Sequence, residues 1–200
     1  MRRASGGLLA TVALTGAFYR MLTETLGGTH AELEAPGLSR GQPGMTRPET
    51  LYARQVMAAG SVIVRPAGLE EVAAAGALDR QVTSGHDRAP DLAAAQAEGR
   101  LLVAERHGEI VGYATHGKFF EYDFLELLVV RPSDRRTGVA TALVAAVESS
   151  SRSGKLFTST NQSNAPMQRL CAELGFESSG VVENLDEGDP ELFFVKRFTT

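Results

Sequence analysis

Cysteine is nearly absent: the 200 residues of this chain contain one, Cys171. An intrachain disulfide is therefore excluded, and a cysteine-based zinc site is disfavoured. The four histidines, His30, His86, His107 and His116, nowhere stand four apart, so the paired imidazoles of a metal-binding helix are missing. No metal is indicated. Positive charge is not in excess either. A net charge of −4 argues against a general nucleic-acid binder, which needs a clustered basic surface. The amino-terminal apolar run GGLLATVALTGAFY (6–19) is too short to cross a bilayer as a helix, which takes about 20 residues, so stable membrane insertion is not expected.

What is present has the balance of a globular protein, with 22% charged and 43% hydrophobic residues. Two hundred residues suit one ordinary domain, or a smaller one with an extension. The extension reading fits. MRR followed by that short apolar run resembles the start of a secretory signal, but Tyr19 and Arg20 interrupt it and no small-x-small cleavage site follows. Residues 34–48, EAPGLSRGQPGMTRP, carry three prolines and three glycines and read as a linker. Met45 and Met57 would serve as later starts. Residues 1–59 are accordingly read as extension and linker, and 60–200 as the domain.

Periodic segments begin after Gly60. SVIVRP (61–66) suits a strand, 68–83 and 90–99 suit helices, and LLVAER (101–106) with EIVGYATHG (109–117) suits a hairpin turning at His107-Gly108. EYDFLELLVVRP (121–132) and KLFTST (155–160) are the most strand-like of the rest. Residues 138–149 place Val139, Ala142, Leu143, Ala146 and Val147 on one helix face. Asn164 can cap a following helix that tolerates Pro166 in its first turn and stops at Gly175. Residues 175–185 and 191–198 close the chain as two strands. The order β, α, α, β, β, β, α, β, α, β, β predicts an α/β layered sheet with helices on both faces.

RRTGVAT (135–141) stands between two apolar segments, where a strand passes through a glycine turn into a helix. A helix start leaves N–H groups unpaired and favours an anion; glycine admits a phosphate close to the backbone, and two arginines add charge. A diphosphate fits such a turn. The Walker pattern is excluded because Val139 and Ala140 stand where it needs lysine and then serine or threonine. A dinucleotide fingerprint needs three spaced glycines, and only Gly138 is there.

With its flanks, LLVVRPSDRRTGVATALV (127–144) and NAPMQRLCAELGFESSG (164–180), the chain resembles the Gcn5-related N-acetyltransferases (GNAT) over roughly residues 61–198. The resemblance implies a mixed, mostly antiparallel sheet of six to seven strands, split between the fourth and fifth strands to hold acetyl-CoA as cosubstrate. It implies that Arg135, Arg136, Thr137, Gly138, Val139, Ala140 and Thr141 wrap the CoA pyrophosphate. The backbone of Leu128, Val129 and Val130 would face the thioester and pantetheine, and Asn164 would lie near the pantetheine or the departing sulfur.

An N-acetyltransferase of this kind needs a deprotonated amine and a proton for the leaving thiolate. Glu126, flanked by leucines on the fourth strand, stands where many relatives place a carboxylate, and desolvation would raise its pKa toward that of a base; it equally suits an ordinary outward-facing position on a half-buried strand. Cys171 occupies the position where many relatives carry a proton-donating tyrosine, a departure from the pattern. It is a candidate acid or nucleophile, and equally suits the apolar stripe of its helix as a small hydrophobe. Phe119, Phe120 and Tyr122 could line an acceptor slot or pack the strand. The loop ENLDEGDPE (183–191) holds five carboxylates, which suits a cationic acceptor or simply a solvated turn. The expected partner is a small-molecule or peptide amine, with cytoplasmic location and a homodimer carried as family expectations. The alternative is a catalytically silent acyl-CoA-binding sensor.

Overall fold

The computed structural model describes residues 62–83 and 87–198. The extension and linker expected over 1–59 lie outside these residues. Strands β1 (Ile63–Pro66), β2 (Leu101–Arg106), β3 (Glu109–Phe119), β4 (Tyr122–Val130), β5 (Lys155–Asn161), β6 (Glu177–Val182) and β7 (Glu191–Arg197) form one sheet, in the order β1-β2-β3-β4-β5-β7-β6. Every neighbouring pair is antiparallel except β4 and β5, which run parallel. Helices α1 (Glu71–Val82), α2 (Ala89–Ala97), α3 (Val139–Ser150) and α4 (Ala165–Glu173) complete the expected order of elements.

Most expected boundaries hold within a few residues, and the differences have local causes. Helix α1 starts at Glu71 rather than 68, because the Glu71 carboxylate accepts the Gly68 N–H (2.8 Å) and pairs with Arg65 (2.6 Å), fixing the approach as a turn. The β2–β3 hairpin turns at His107 and Gly108, whose φ angles of 54° and 78° give the twist a two-residue hairpin needs.

The sheet divides the core in two. On one face Leu101, Val103, Tyr113, Leu127 and Val129 pack with Ala75 and Leu78 of α1 and Leu92 of α2. On the other face Leu102, Ala114, Leu125, Leu128 and Leu156 pack with Leu143 and Val147 of α3 and Met167 and Cys171 of α4. Leu92, Leu102, Leu143 and Leu156 are completely buried, each contributing about 1.5–3 kcal/mol of transfer free energy. Gly112 lets α3 come this close: a Cβ there would meet the Val129 carbonyl and Val139 Cγ1, both at 2.9 Å.

Two irregularities shape the middle of the sheet. Strand β4 pairs with β5 only from Asp123 to Leu125, against Leu156 to Thr158; beyond that the parallel strands separate. At the same level β4 carries a bulge. Thr115 faces Leu127 and His116 faces Leu125, so Glu126 is the extra residue of the bulge. Leu125 and Leu128 then both join the α3/α4 core, while Leu127 and Val129 join the α1/α2 core. The closed end of the split is pinned by Asp123, whose carboxylate accepts from Lys118, Ser151 and Ser153.

Candidate functional site

The pairing of β4 with β5 ends at Leu125, and the two strands separate along Leu127 to Val130; opposite, Ser159, Thr160 and Asn161 of β5 pair with β7. This gap is the split that the sequence resemblance implies. Its β4 side includes the backbone of Leu128, Val129 and Val130, whose other edge remains bonded to β3. An open strand edge offers N–H and C=O groups to a ligand; here the Val130 carbonyl already accepts from Arg135 Nε (3.3 Å).

At the end of β4 the chain passes through a short turn of 3-10 helix, Pro132–Asp134, and reaches α3 through Arg135–Gly138. Arg136 (φ 60°) and Gly138 (φ 87°) both take left-handed backbone, and at the helix entry that conformation favours glycine. The first helical bond runs from Ala142 N–H to the Gly138 carbonyl (2.9 Å), so Val139, Ala140 and Thr141 direct N–H groups outward, and no side chain caps them. Arg135, Arg136, Thr137 and Gly138 are exposed around them. Backbone donors and the helix dipole thus meet on one solvent-facing turn that also carries two exposed arginines, and this donor set fits a diphosphate.

Residues that sequence reasoning did not single out hold this turn. Arg106 at the end of β2 donates to Asp134 (3.1 Å), to the Thr137 hydroxyl (2.9 Å) and to the Thr137 carbonyl (3.2 Å). Arg131 also donates to Asp134 (2.6 Å), and the Thr137 hydroxyl donates to the Asp134 carbonyl (2.6 Å). The Arg131 bond and burial act oppositely on Asp134; the bond dominates and holds its carboxyl below the ordinary range. Thr137 is thereby part of the scaffold. Nothing in the local sequence marks Arg106, because its partners lie about thirty residues away.

Glu126 occupies the bulge. With Leu125 and Leu128 committed to the α3/α4 core, its side chain reaches the opposite face, where Arg100 donates to its carboxylate at 3.0 Å and the Thr115 hydroxyl bonds it as well. It lies over Gly117, where a Cβ would stand 2.2 Å from its Oε1. Burial is the largest influence and raises its pKa above the ordinary carboxylate value; Arg100 opposes the rise without cancelling it. A half-buried carboxylate with a raised pKa, beside an open split, is a better proton acceptor than an ordinary exposed carboxylate.

Asn164 caps α4: its Oδ1 accepts the Met167 N–H (3.3 Å) and its Nδ2 donates to Thr160 (2.9 Å). At 5% exposure its side chain belongs first to the fold. Cys171, at 1% exposure, sits in the α3/α4 core with Met167, and burial pushes its thiol up to about 12. A thiol so placed is neither a ready nucleophile nor a good acid.

The aromatic residues of 116–124 form part of a larger cluster. Phe119 packs against Phe124, Phe157 and Phe193 at centroid distances of 5.4, 5.9 and 5.5 Å, and Tyr122 against Phe157 at 5.6 Å. Phe120, 85% exposed, stands edge-on to Phe119. The acidic loop is tied to the far lip of the split. Asp186 accepts from Asn161 (2.8 Å), and Asp189 accepts from the Ser163 N–H (2.8 Å) and hydroxyl (2.6 Å). Among the described residues no group of His, Cys, Asp and Glu converges closely enough to hold a metal ion. No described helix is long and apolar enough to cross a membrane.

Residues 71–176 match the model of a family described as Acetyltransferase (GNAT) family. An acetyltransferase of the GNAT family from Bacillus cereus is 35% identical with a TM-score of 0.67, covering 70% of this chain and 100% of its own. The ribosomal-protein-S18-alanine N-acetyltransferase from Escherichia coli shares the fold at 18% identity and a TM-score of 0.60, over 70% of this chain and 96% of its own. The ribosomal-protein-alanine N-acetyltransferase from Brucella melitensis does so at 23% identity and 0.56, over 68% and 99%. No curated protein matches the chain.

Proposed function

The chain belongs to the GNAT family of acetyltransferases, and from that premise we propose that it transfers an acetyl group from acetyl-CoA to a primary amine by direct attack within a ternary complex. The observation that carries this reading is Glu126: a half-buried carboxylate of elevated pKa in the bulge of β4, at the level where β4 and β5 stop pairing. The turn from Arg135 to Thr141 receives the CoA pyrophosphate on the N–H groups of Val139, Ala140 and Thr141, with Arg135 and Arg136 beside it. The open edge of Leu128 to Val130 aligns the pantetheine arm, and Asn164 keeps the start of α4 in place at its far end.

Acetyl-CoA supplies the activated acyl carbon. Glu126 takes the proton from the acceptor ammonium, directly or through one water, and so frees the amine to attack. The C–S bond breaks as the C–N bond forms, and solvent returns a proton to the thiolate, because Cys171 is buried with a thiol pushed up to about 12. Positioning carries much of the rate in such a scheme. The aromatic cluster floors the acceptor side, and the acidic loop favours a cationic small-molecule or peptide amine over nucleic acid. We assign residues 60–200 to the transferase domain and 1–59 to an extension, and place the protein in the cytoplasm, where acetyl-CoA is supplied, as a candidate homodimer.

The missing acid at position 171 favours one second reading, a silent acyl-CoA-binding sensor. Thiol release from acetyl-CoA by the full chain, across a panel of small amines and basic peptides, separates the two. Acceptor-dependent release supports the transferase. A blank panel from protein shown to bind acetyl-CoA favours the sensor.

A further inference from the structure

Glu191 differs from the other carboxylates of the acidic loop. It opens β7, is 3% exposed, and its Oε2 has no hydrogen-bond partner among the described residues. The Ser159 hydroxyl bonds the carboxyl, and the charges that bear on it come from Asp186 and Asp189, both of its own sign. Burial first, and these neighbours second, push its pKa up. Leaving a buried carboxylate oxygen without a donor is costly, and a fold tolerates it where a ligand supplies the donor.

Strand register places this group. Asn161 faces Glu191 and Ser159 faces Phe193, so these four share one face of the sheet. Thr160, between them on β5, points the other way and bonds Asn164 at the start of α4. The carboxyl of Glu191 therefore sits behind the far lip of the split, on the face opposite α4. Glu126, at the near lip, reaches that same face. The two carboxylates lie on the same face of the sheet, on β4 and β7, with β5 and the open part of the split between them. Asp186 and Asp189, held by Asn161 and Ser163, reinforce the negative field on the Glu191 side. The carboxylates do not converge as metal ligands, so an organic cation is the better match.

We infer that Glu191 receives a second cationic group of the acceptor, so that the substrate class is a diamine: one amine is acetylated beside Glu126 while a distal ammonium donates to the free Oε2 of Glu191. This rests on the transferase reading above for the first amine only.

The test compares putrescine and cadaverine with butylamine and pentylamine, using the full chain, by thiol release and by calorimetry in the presence of CoA. The wild type favours the diamine by at least tenfold in kcat/KM, and Glu191→Gln brings that ratio close to one and abolishes the calorimetric signal of the diamine. Turnover of both amine types with an unchanged ratio in the variant overturns the inference while leaving the transferase reading standing. Absence of turnover, with putrescine binding the wild type but not the variant, does the reverse. Should the variant fail to fold, the wild type decides: no preference for the diamine in rate or binding refutes the second site.

Discussion

Replacing Gly117 by alanine tests whether the place of Glu126 matters for catalysis. The backbone of Gly117 is not left-handed, so alanine is tolerated there in itself. Its Cβ, however, would lie 2.2 Å from Glu126 Oε1 and 3.0 Å from the carboxyl carbon. The carboxylate must retreat by about 1 Å to reach van der Waals separation, stretching or breaking its 3.0 Å bond from Arg100. Because the obstructing atoms end a side chain, the retreat costs little stability, within about 1 kcal/mol, and alanine offsets part of it by restricting the unfolded chain. Catalysis is less forgiving, since a misplacement of about 1 Å can cost about a hundredfold. Gly117→Ala should therefore lose about two orders of magnitude in kcat, with the melting temperature within a few degrees of wild type and acetyl-CoA affinity retained. Gly112→Ala is the contrast: there a backbone carbonyl and a packed valine stand at 2.9 Å, and overpacking should cost about 1–3 kcal/mol of stability. Steady-state kinetics and urea unfolding on both variants separate the cases. A folded Gly117→Ala protein with wild-type kcat would refute the assignment of Glu126.

Arg100 favours the ionised form of Glu126. In Arg100→Gln the acid limb of the pH–rate profile should move to higher pH, and an unmoved limb would show that another group limits the rate. Cys171→Ala should lose about 1 kcal/mol, the scale of a buried methylene-sized group, with turnover within a few-fold; a loss beyond about a hundredfold would restore the thiol as a catalytic group. Burial alone would raise the Asp123 carboxyl, but bonds from Lys118, Ser151 and Ser153 overcome it and hold it at about 2 against an ordinary 3.8. That depression contributes about 2 kcal/mol, present above the unfolded pKa and lost as pH falls toward 2. Urea titrations of Asp123→Asn should therefore show a deficit at neutral pH that closes as the folded value is approached, and a constant deficit at all pH values would contradict this.

Much of the architecture was legible before any coordinates. The order of strands and helices, the His107-Gly108 turn, the Asn164 cap and the glycine entry to α3 all match expectation. Cys171 was legible only as a choice between chemistry and core, and its 1% exposure places it in the core. The aromatic residues of 116–124 were visible, but their partners Phe157 and Phe193 come from distant strands.

What the sequence by itself determined is what depends on near neighbours along the chain: periodicity, caps, turns and a motif whose N–H donors all belong to seven consecutive residues. The leucines around Glu126 already pointed to its desolvation, but tertiary structure alone decided its partners and the burial of Glu191. Glu126 is a half-buried carboxylate because a bulge turns it away from the α3/α4 core, a glycine on β3 leaves it room, and Arg100, 26 residues earlier, meets it from β2's approach. Glu191 is a buried carboxylate rather than one more solvated charge because β7 lies against β5, where Ser159 bonds it. Desolvation and charge pairing are set by which strands become neighbours. The long-range packing of the sheet chooses those neighbours, and no local pattern of residues records the choice.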